Sequence, residues 1–229
     1  MSNAALIFRY RARFTKAGAL RYTGHLDLLR TFERMLRRAR VPIAYTEGFN
    51  VRPRLQFAQA LPLGFTSSGE LVDLWIERCE APAALLERLR ASEPPGLSIL
   101  AVWPVARVYK ESLPTLTRSA DYVVPLPSPP ADIISRVAAL HARERIERTR
   151  RDKGYDLKEL LEALRLVADD EGARLEMRLA TREAATGRPE AVLDELGLDP
   201  ADLRIHRAAL LLEGEAAARE EAAGARARA

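Results

Sequence analysis

Leu6, Phe8, Tyr10, Ala12 and Phe14 alternate with Ile7, Arg9, Arg11 and Arg13 near the start of the chain. A period of two over this span fits a strand with one buried face, and it fits no helix. The pattern then changes to helical spacing. Laid out at about 100° per residue, Leu28, Leu29, Phe32, Met35, Leu36 and Ala39 fall in a band of about 120°, so a helix is expected from Leu26 to Arg40, with Thr23 or Gly24 as N-cap. Pro42 marks the exit into a strand at 41–45, and the turn Glu47-Gly48-Phe49-Asn50 leads past Pro53 to a strand at 54–60. Loops at Gly64 and Ser67-Ser68-Gly69 precede a strand at 71–79. Pro82 opens a helix to Arg90, and a strand at 97–107 closes the module. The order β-α-β-β-β-α-β reads as a ferredoxin-like arrangement with one extra hairpin.

Residues 108–119 lack periodicity and read as a linker. Beyond them strand and helix alternate again. Strands are expected at 121–126, 145–150, 174–180 and 203–212, and helices at 131–141, 156–164 and 189–196. The fold class is therefore α/β, an α+β sandwich built from two ferredoxin-like modules, 4–107 and 120–213. The halves match in alternation and not in residue identity. The stretch 214–229, mostly Ala, Glu and Arg, has little to bury and reads as a disordered tail.

Charge is distributed unevenly over this frame. Residues 1–60 hold 12 Lys or Arg against 3 Asp or Glu, a net of +9, while the remaining residues sum to −5. A positive field confined to one ordered segment favours an anionic partner. No stretch is apolar enough for a membrane span and no secretory signal precedes the first strand, so a cytoplasmic protein is expected. The single cysteine, Cys79, excludes an internal disulfide, and also a zinc ribbon or iron–sulfur cluster held by this chain alone. HExxH, Walker A, GxGxxG and GxSxG are absent. No metal site or cofactor is expected in the chain.

On the helix at 26–40, Arg30, Arg34, Arg37 and Arg38 gather opposite the apolar band, where each guanidinium can fork onto a phosphate. The competing reading is a solvated face trimmed by Glu33, which can meet Arg30 and Arg37 along the helix. Arg52 and Arg54 extend the basic set. Arg9, Arg11 and Arg13 share the strand face that the apolar residues avoid. Trp75 lies on the polar parity of its own strand, either as a stacking platform for a single-stranded RNA base or as an interdomain core residue; strand register decides between the two. His25, Glu47 and Glu70 would supply acid–base groups if their loops met. The arginines at 143–151 with Lys153 are interleaved with acids and read mainly as a solvated strand edge.

The stretch Phe14-Thr15-Lys16-Ala17-Gly18-Ala19-Leu20-Arg21-Tyr22-Thr23-Gly24-His25-Leu26-Asp27, with the GFN-x-x-P turn, LPLG and S-x-GE elements that follow, resembles the radical-SAM-linked protein family. These bacterial proteins occur alone or as a C-terminal extension of B12-binding radical SAM proteins. By position, the resemblance marks Gly24, His25, Leu26, Asp27, Arg34, Arg37, Arg38, Gly48, Phe49, Asn50, Pro53, Gly64 and Glu70. The usual turn reads Asn-Pro-His-Pro, whereas this chain has Asn50-Val51-Arg52-Pro53. The missing histidine weakens a catalytic or metal role for the turn, and the arginine in its place suits an anion. The resemblance implies a radical SAM partner that carries its own cluster. It implies no substrate.

Three functions follow as expectations. The first is an accessory protein, not catalytic alone, that binds RNA (tRNA or rRNA) through Arg30, Arg34, Arg37, Arg38, Arg52, Arg54 and Trp75. The second is an interaction module that docks a radical SAM enzyme. The third is an RNA-processing or RNA-modifying enzyme using His25 with Glu47 or Glu70.

Overall fold

A computed structural model describes residues 6–106, 112–170, 172–181 and 185–214. The 108–111 part of the expected linker and the expected tail at 215–229 lie outside the described residues. The chain divides into two compact units, Met1–Thr117 with Leu212–Ala229, and Arg118–Leu211.

The first unit opens with β1 (Phe8–Lys16), a 3-10 turn (Gly18–Tyr22) and α1 (His25–Arg38). It continues with β2 (Leu55–Phe57), β3 (Thr66–Ile76), α2 (Pro82–Arg90), β4 (Leu97–Val105) and the short α3 (Leu113–Leu116). All pairings are antiparallel, in the order β4-β1-β3-β2. The alternation of β1 sends Tyr10, Ala12 and Phe14 into a core shared with Val72, Leu74 and Ile76 of β3. Leu28, Phe32, Met35 and Leu36 of α1 and Leu85 and Leu89 of α2 complete it. A Phe14–Phe32–Phe57 cluster with edge-to-face rings 4.9–5.9 Å apart locks α1 to the sheet.

The strand expected at 41–45 does not form. That segment makes only two isolated bridges, Ile43 to Ile76 and Tyr45 to Pro53. Pro42 and Pro53 each lack an N–H, so a ladder cannot propagate past them, and the unit has one strand fewer between its helices than the sequence pattern implies. The strand expected at 54–60 is likewise short, ending where Ala58 and Gln59 bend.

The second unit comprises β5 (Thr117–Leu126), α4 (Ile133–Ala142), a hairpin of β6 (Glu147–Arg150) and β7 (Lys153–Asp156), β8 (Leu161–Asp169), β9 (Gly172–Ala180), α5 (Pro189–Glu195) and β10 (His206–Leu212). Its main sheet has the order β10-β5-β9-β8. With the hairpin set aside, both units run strand–helix–strand–strand–helix–strand, with the fourth, first, third and second strands side by side. The helix expected at 156–164 is absent. A 3-10 turn at Lys158–Leu160 gives way to β8, which pairs with β9 from Leu161 to Asp169. Leu157, Leu160 and Leu164 mimic helical spacing, but a sheet edge left open by β9 offers more backbone bonds than an isolated helix of that length.

Candidate functional site

Helix α1 starts at Gly24, which serves as N-cap in an extended conformation. Asp27 in its first turn and Arg37 and Arg38 in its last turn complement the helix dipole. Lys16, almost wholly buried, donates from Nζ to the Thr23 carbonyl at 2.8 Å and fixes the chain just ahead of the helix. At the far end Arg40 takes φ 50°, and the Val41 amide donates to the Leu36 carbonyl at 3.0 Å.

The segment after the helix folds back as a closed turn. The Thr46 amide donates to the Arg52 carbonyl at 2.9 Å, the Arg52 amide to Thr46 Oγ1 at 3.1 Å, and the Arg54 amide to the Ala44 carbonyl at 2.7 Å. Gly48 sits at φ 107°, a conformation side chains other than glycine resist. The Phe49 side chain is left fully exposed at the tip. Between the helix and this turn lies a cleft of about 400 Å³. Leu26, Leu29, Arg30, Glu33 and Arg37 line it from α1, and Tyr45, Val51, Arg52 and Pro53 from the turn.

The cleft is electropositive, with three guanidinium groups against the Glu33 carboxylate. Glu33 pairs with neither Arg30 nor Arg37, so the trimming of the stripe by Glu33 that the competing reading requires is not formed among the described residues. Arg30 instead reaches Asp27 at 3.5 Å, an exposed pair worth only about 0.5 kcal/mol. Arg37 and Arg52 make no ion pair among the described residues. Arg34 and Arg38 are also exposed but lie outside the cleft; Arg34 touches Thr31 Oγ1 at 3.5 Å, and Arg38 donates to the Ser92 carbonyl at 2.7 Å.

The polar face of the sheet has a different character. Arg11 is directly opposite Asp73 in register and donates to both of its oxygens, at 2.8 and 3.1 Å. Arg9 reaches the same carboxylate at 2.8 Å from Nε. Asp73 is completely buried and Arg11 nearly so. On the other side of Asp73 in register lies Gln56, whose Oε1 accepts the Leu113 amide at 3.0 Å. Trp75 is half-buried, with Arg9 5.3 Å and Arg54 4.8 Å from its ring centroid. Arg9 and Arg11 of β1 thus serve an internal carboxylate, while Arg13 lies 5.9 Å from the Trp103 ring centroid. Sequence alternation missed this, and the one available signal was the aspartate inside the apolar run Leu71–Ile76.

None of the acid–base candidates lines the cleft. His25 packs edge-on against Phe57 at 5.4 Å, Glu47 is exposed on the turn, and Glu70 is buried in β3. The described residues contain no group of three His, Cys, Asp or Glu placed to hold a metal ion. Pro53, Asn50 and Gly64 of the motif are architectural. Pro53 bridges Tyr45, the Asn50 carbonyl accepts the Thr46 hydroxyl at 3.3 Å, and Gly64, at φ 86°, donates its amide to the Arg21 carbonyl at 2.8 Å.

A family model described as "uncharacterized protein conserved in bacteria (DUF2344)" matches residues 9–189, and the chain belongs to that family. No curated protein matches the chain. No helix is long and apolar enough to cross a membrane among the described residues.

Proposed function

We propose that this chain is an RNA-binding accessory protein, not catalytic by itself, and that the cleft beside α1 holds the backbone of single-stranded RNA. One observation carries the reading. Arg37 and Arg52, with no ion pair among the described residues, converge with the weakly paired Arg30 on a cleft edged by exposed apolar and aromatic side chains. Guanidinium groups fork onto phosphates, and Tyr45 and Phe49 offer ring faces on which bases stack whatever their identity. A paired duplex hides those faces, which favours a single strand over a double helix.

The test is fluorescence anisotropy of the full chain with a labelled single-stranded RNA. Three phosphate contacts on a single strand give a slope of log K against log salt near −2, so affinity falls about 20-fold between 50 and 200 mM salt. Reversing Arg30, Arg37 and Arg52 to Glu weakens binding and makes the salt slope shallower by about 2. Undetectable binding at 50 mM salt, or affinity and slope unchanged by the reversal, sinks the proposal.

A second reading has its own support. Tyr22, Leu26, Tyr45, Phe49, Val51 and Leu63 are large apolar side chains left exposed on α1 and its neighbouring loops, more than scattered single residues would require. Such a surface suits docking of a radical SAM enzyme, the partner that the sequence resemblance implies. Capture of that enzyme by nucleic-acid-free protein, lost on Phe49→Ser and kept on reversal of the arginines, supports docking over RNA.

A further inference from the structure

The β6–β7 hairpin of the second unit carries a separate group of cations. In register, Arg148 faces Tyr155 and Arg150 faces Lys153, so these four side chains share one face of the hairpin. Arg148 is fully committed: it donates to Glu195 at 2.8 Å and to Asp194 at 2.6 Å, binding the hairpin to the end of α5. Asp156 Oδ1 secures the base by accepting the Ile146 and Lys158 amides, each at 2.9 Å. Further out, Arg150, Arg151, Lys153 and Tyr155 line a cleft of about 480 Å³ with Leu160 and Thr186, within the roughly 300–1,000 Å³ range of ligand sites. Among the described residues no carboxylate lines it. Arg150, Arg151 and Lys153 form no ion pair among the described residues, and neither does the Tyr155 hydroxyl make a hydrogen bond there.

Two features of the tip work against folding. Like charges sit directly opposite each other at Arg150 and Lys153. The turn places Arg151 at φ 48° and Asp152 at φ 61°, where Asn-Gly is the favoured pair and arginine is not. A bound anion would remove the first conflict and give the second a purpose. We propose that this hairpin cleft is a second site for single-stranded nucleic acid, in which Arg150, Arg151 and Lys153 hold consecutive phosphates and Tyr155 stacks on a base. The site is independent of the cleft beside α1.

The test uses the full chain carrying Arg30→Glu, Arg37→Glu and Arg52→Glu, so that the hairpin site is read alone, and a fluorescein-labelled 12-mer of oligouridine, read by anisotropy in 50 mM salt. Arg150→Ala with Lys153→Ala weakens binding at least tenfold and makes the salt slope shallower by about 1.4, the share of two single-strand phosphate contacts. Arg151→Asn with Asp152→Gly leaves net charge unchanged and installs the favoured turn, so the melting temperature holds or rises while affinity falls several-fold. Tyr155→Ala costs about tenfold and Tyr155→Phe almost nothing, as stacking requires. Hairpin variants that match the parent in affinity and slope overturn the proposal. So does oligoglutamate competing as well as oligouridine at equal charge, since that marks a site for acidic protein. Loss of binding only on reversal of Arg30, Arg37 and Arg52 overturns the hairpin site and leaves the first cleft standing; loss only on the hairpin variants does the reverse.

Discussion

Arg9 and Arg11 on β1 and Arg30, Arg37 and Arg52 around the α1 cleft belong to the same unit and the same basic stretch, yet they face opposite surroundings. The first two converge on Asp73, which is wholly buried, and their charge is spent inside the protein. The other three stand in solvent, with one exposed 3.5 Å pair among them. The count of basic residues is therefore a poor guide to where an anion binds. What decides is whether a carboxylate occupies the neighbouring register position, as Asp73 does opposite Arg11 and Glu33 fails to do on the helix.

The sharpest way to break this contrast is to remove the shared carboxylate. Asp73→Ala strips the nearly fully buried Arg11 of its ion pair and Arg9 of one of its contacts, and truncating one partner of a buried ion pair costs about 3–5 kcal/mol. Urea denaturation is expected to show that loss in full. A cost below about 1 kcal/mol would mean that water already reaches Arg9 and Arg11, and the distinction between the two arginine groups would collapse. Reversal of Arg30, Arg37 and Arg52 to Glu gives the opposite profile. Exposed positions change stability by roughly 0.5 kcal/mol each, while RNA affinity falls at least about 100-fold as three phosphate contacts become repulsive.

This contrast also shows where sequence reading stops. The period of two in β1 and the helical band in α1 place both elements correctly, because burial of one face dictates each pattern. The exposed guanidinium stripe follows from the same geometry. The fate of Arg9 and Arg11 does not, since it depends on Asp73, 64 and 62 residues away, and pairing register is a long-range property. The same limit explains β8, where leucines at helical spacing are overridden by the free edge of β9. It also explains the cleft itself. Arg52 is legible as a basic turn residue, but its convergence with Arg30 and Arg37 needs the bridge between Tyr45 and Pro53 that folds the turn onto the helix.

A smaller effect separates the RNA reading from a purely electrostatic one. Phe49 is fully exposed, so Phe49→Ser leaves stability nearly unchanged. If its ring stacks on a base, RNA affinity drops by about 1–3 kcal/mol with the salt slope intact. An unchanged affinity would restrict the cleft to phosphate contacts and return Phe49 to the docking surface.

The smallest effect concerns the paired arginines of the second unit, and pH exposes it. Burial raises the Glu195 carboxyl, but hydrogen bonds from Arg143 and Arg148 outweigh that and leave it below the ordinary glutamate range. The Ile146 amide, helped by the Lys158 amide and by Arg145, outweighs desolvation and holds Asp156 low in the same way. A carboxyl depressed in the folded state contributes stability above its unfolded pKa, about 4.3 for glutamate and 3.9 for aspartate, and loses it as pH falls through the folded value. The melting temperature is thus expected to hold from pH 7 to about 5 and then to fall towards pH 3, as Arg148 loses Glu195 and the hairpin's tie to α5 weakens. Glu195→Gln should lower the plateau and flatten the acid limb, because the variant has already given up what protonation removes. Equal acid limbs in the two proteins would show that Arg148 is held by Asp194 alone, and the division between committed and available cations on the hairpin would then rest on one contact.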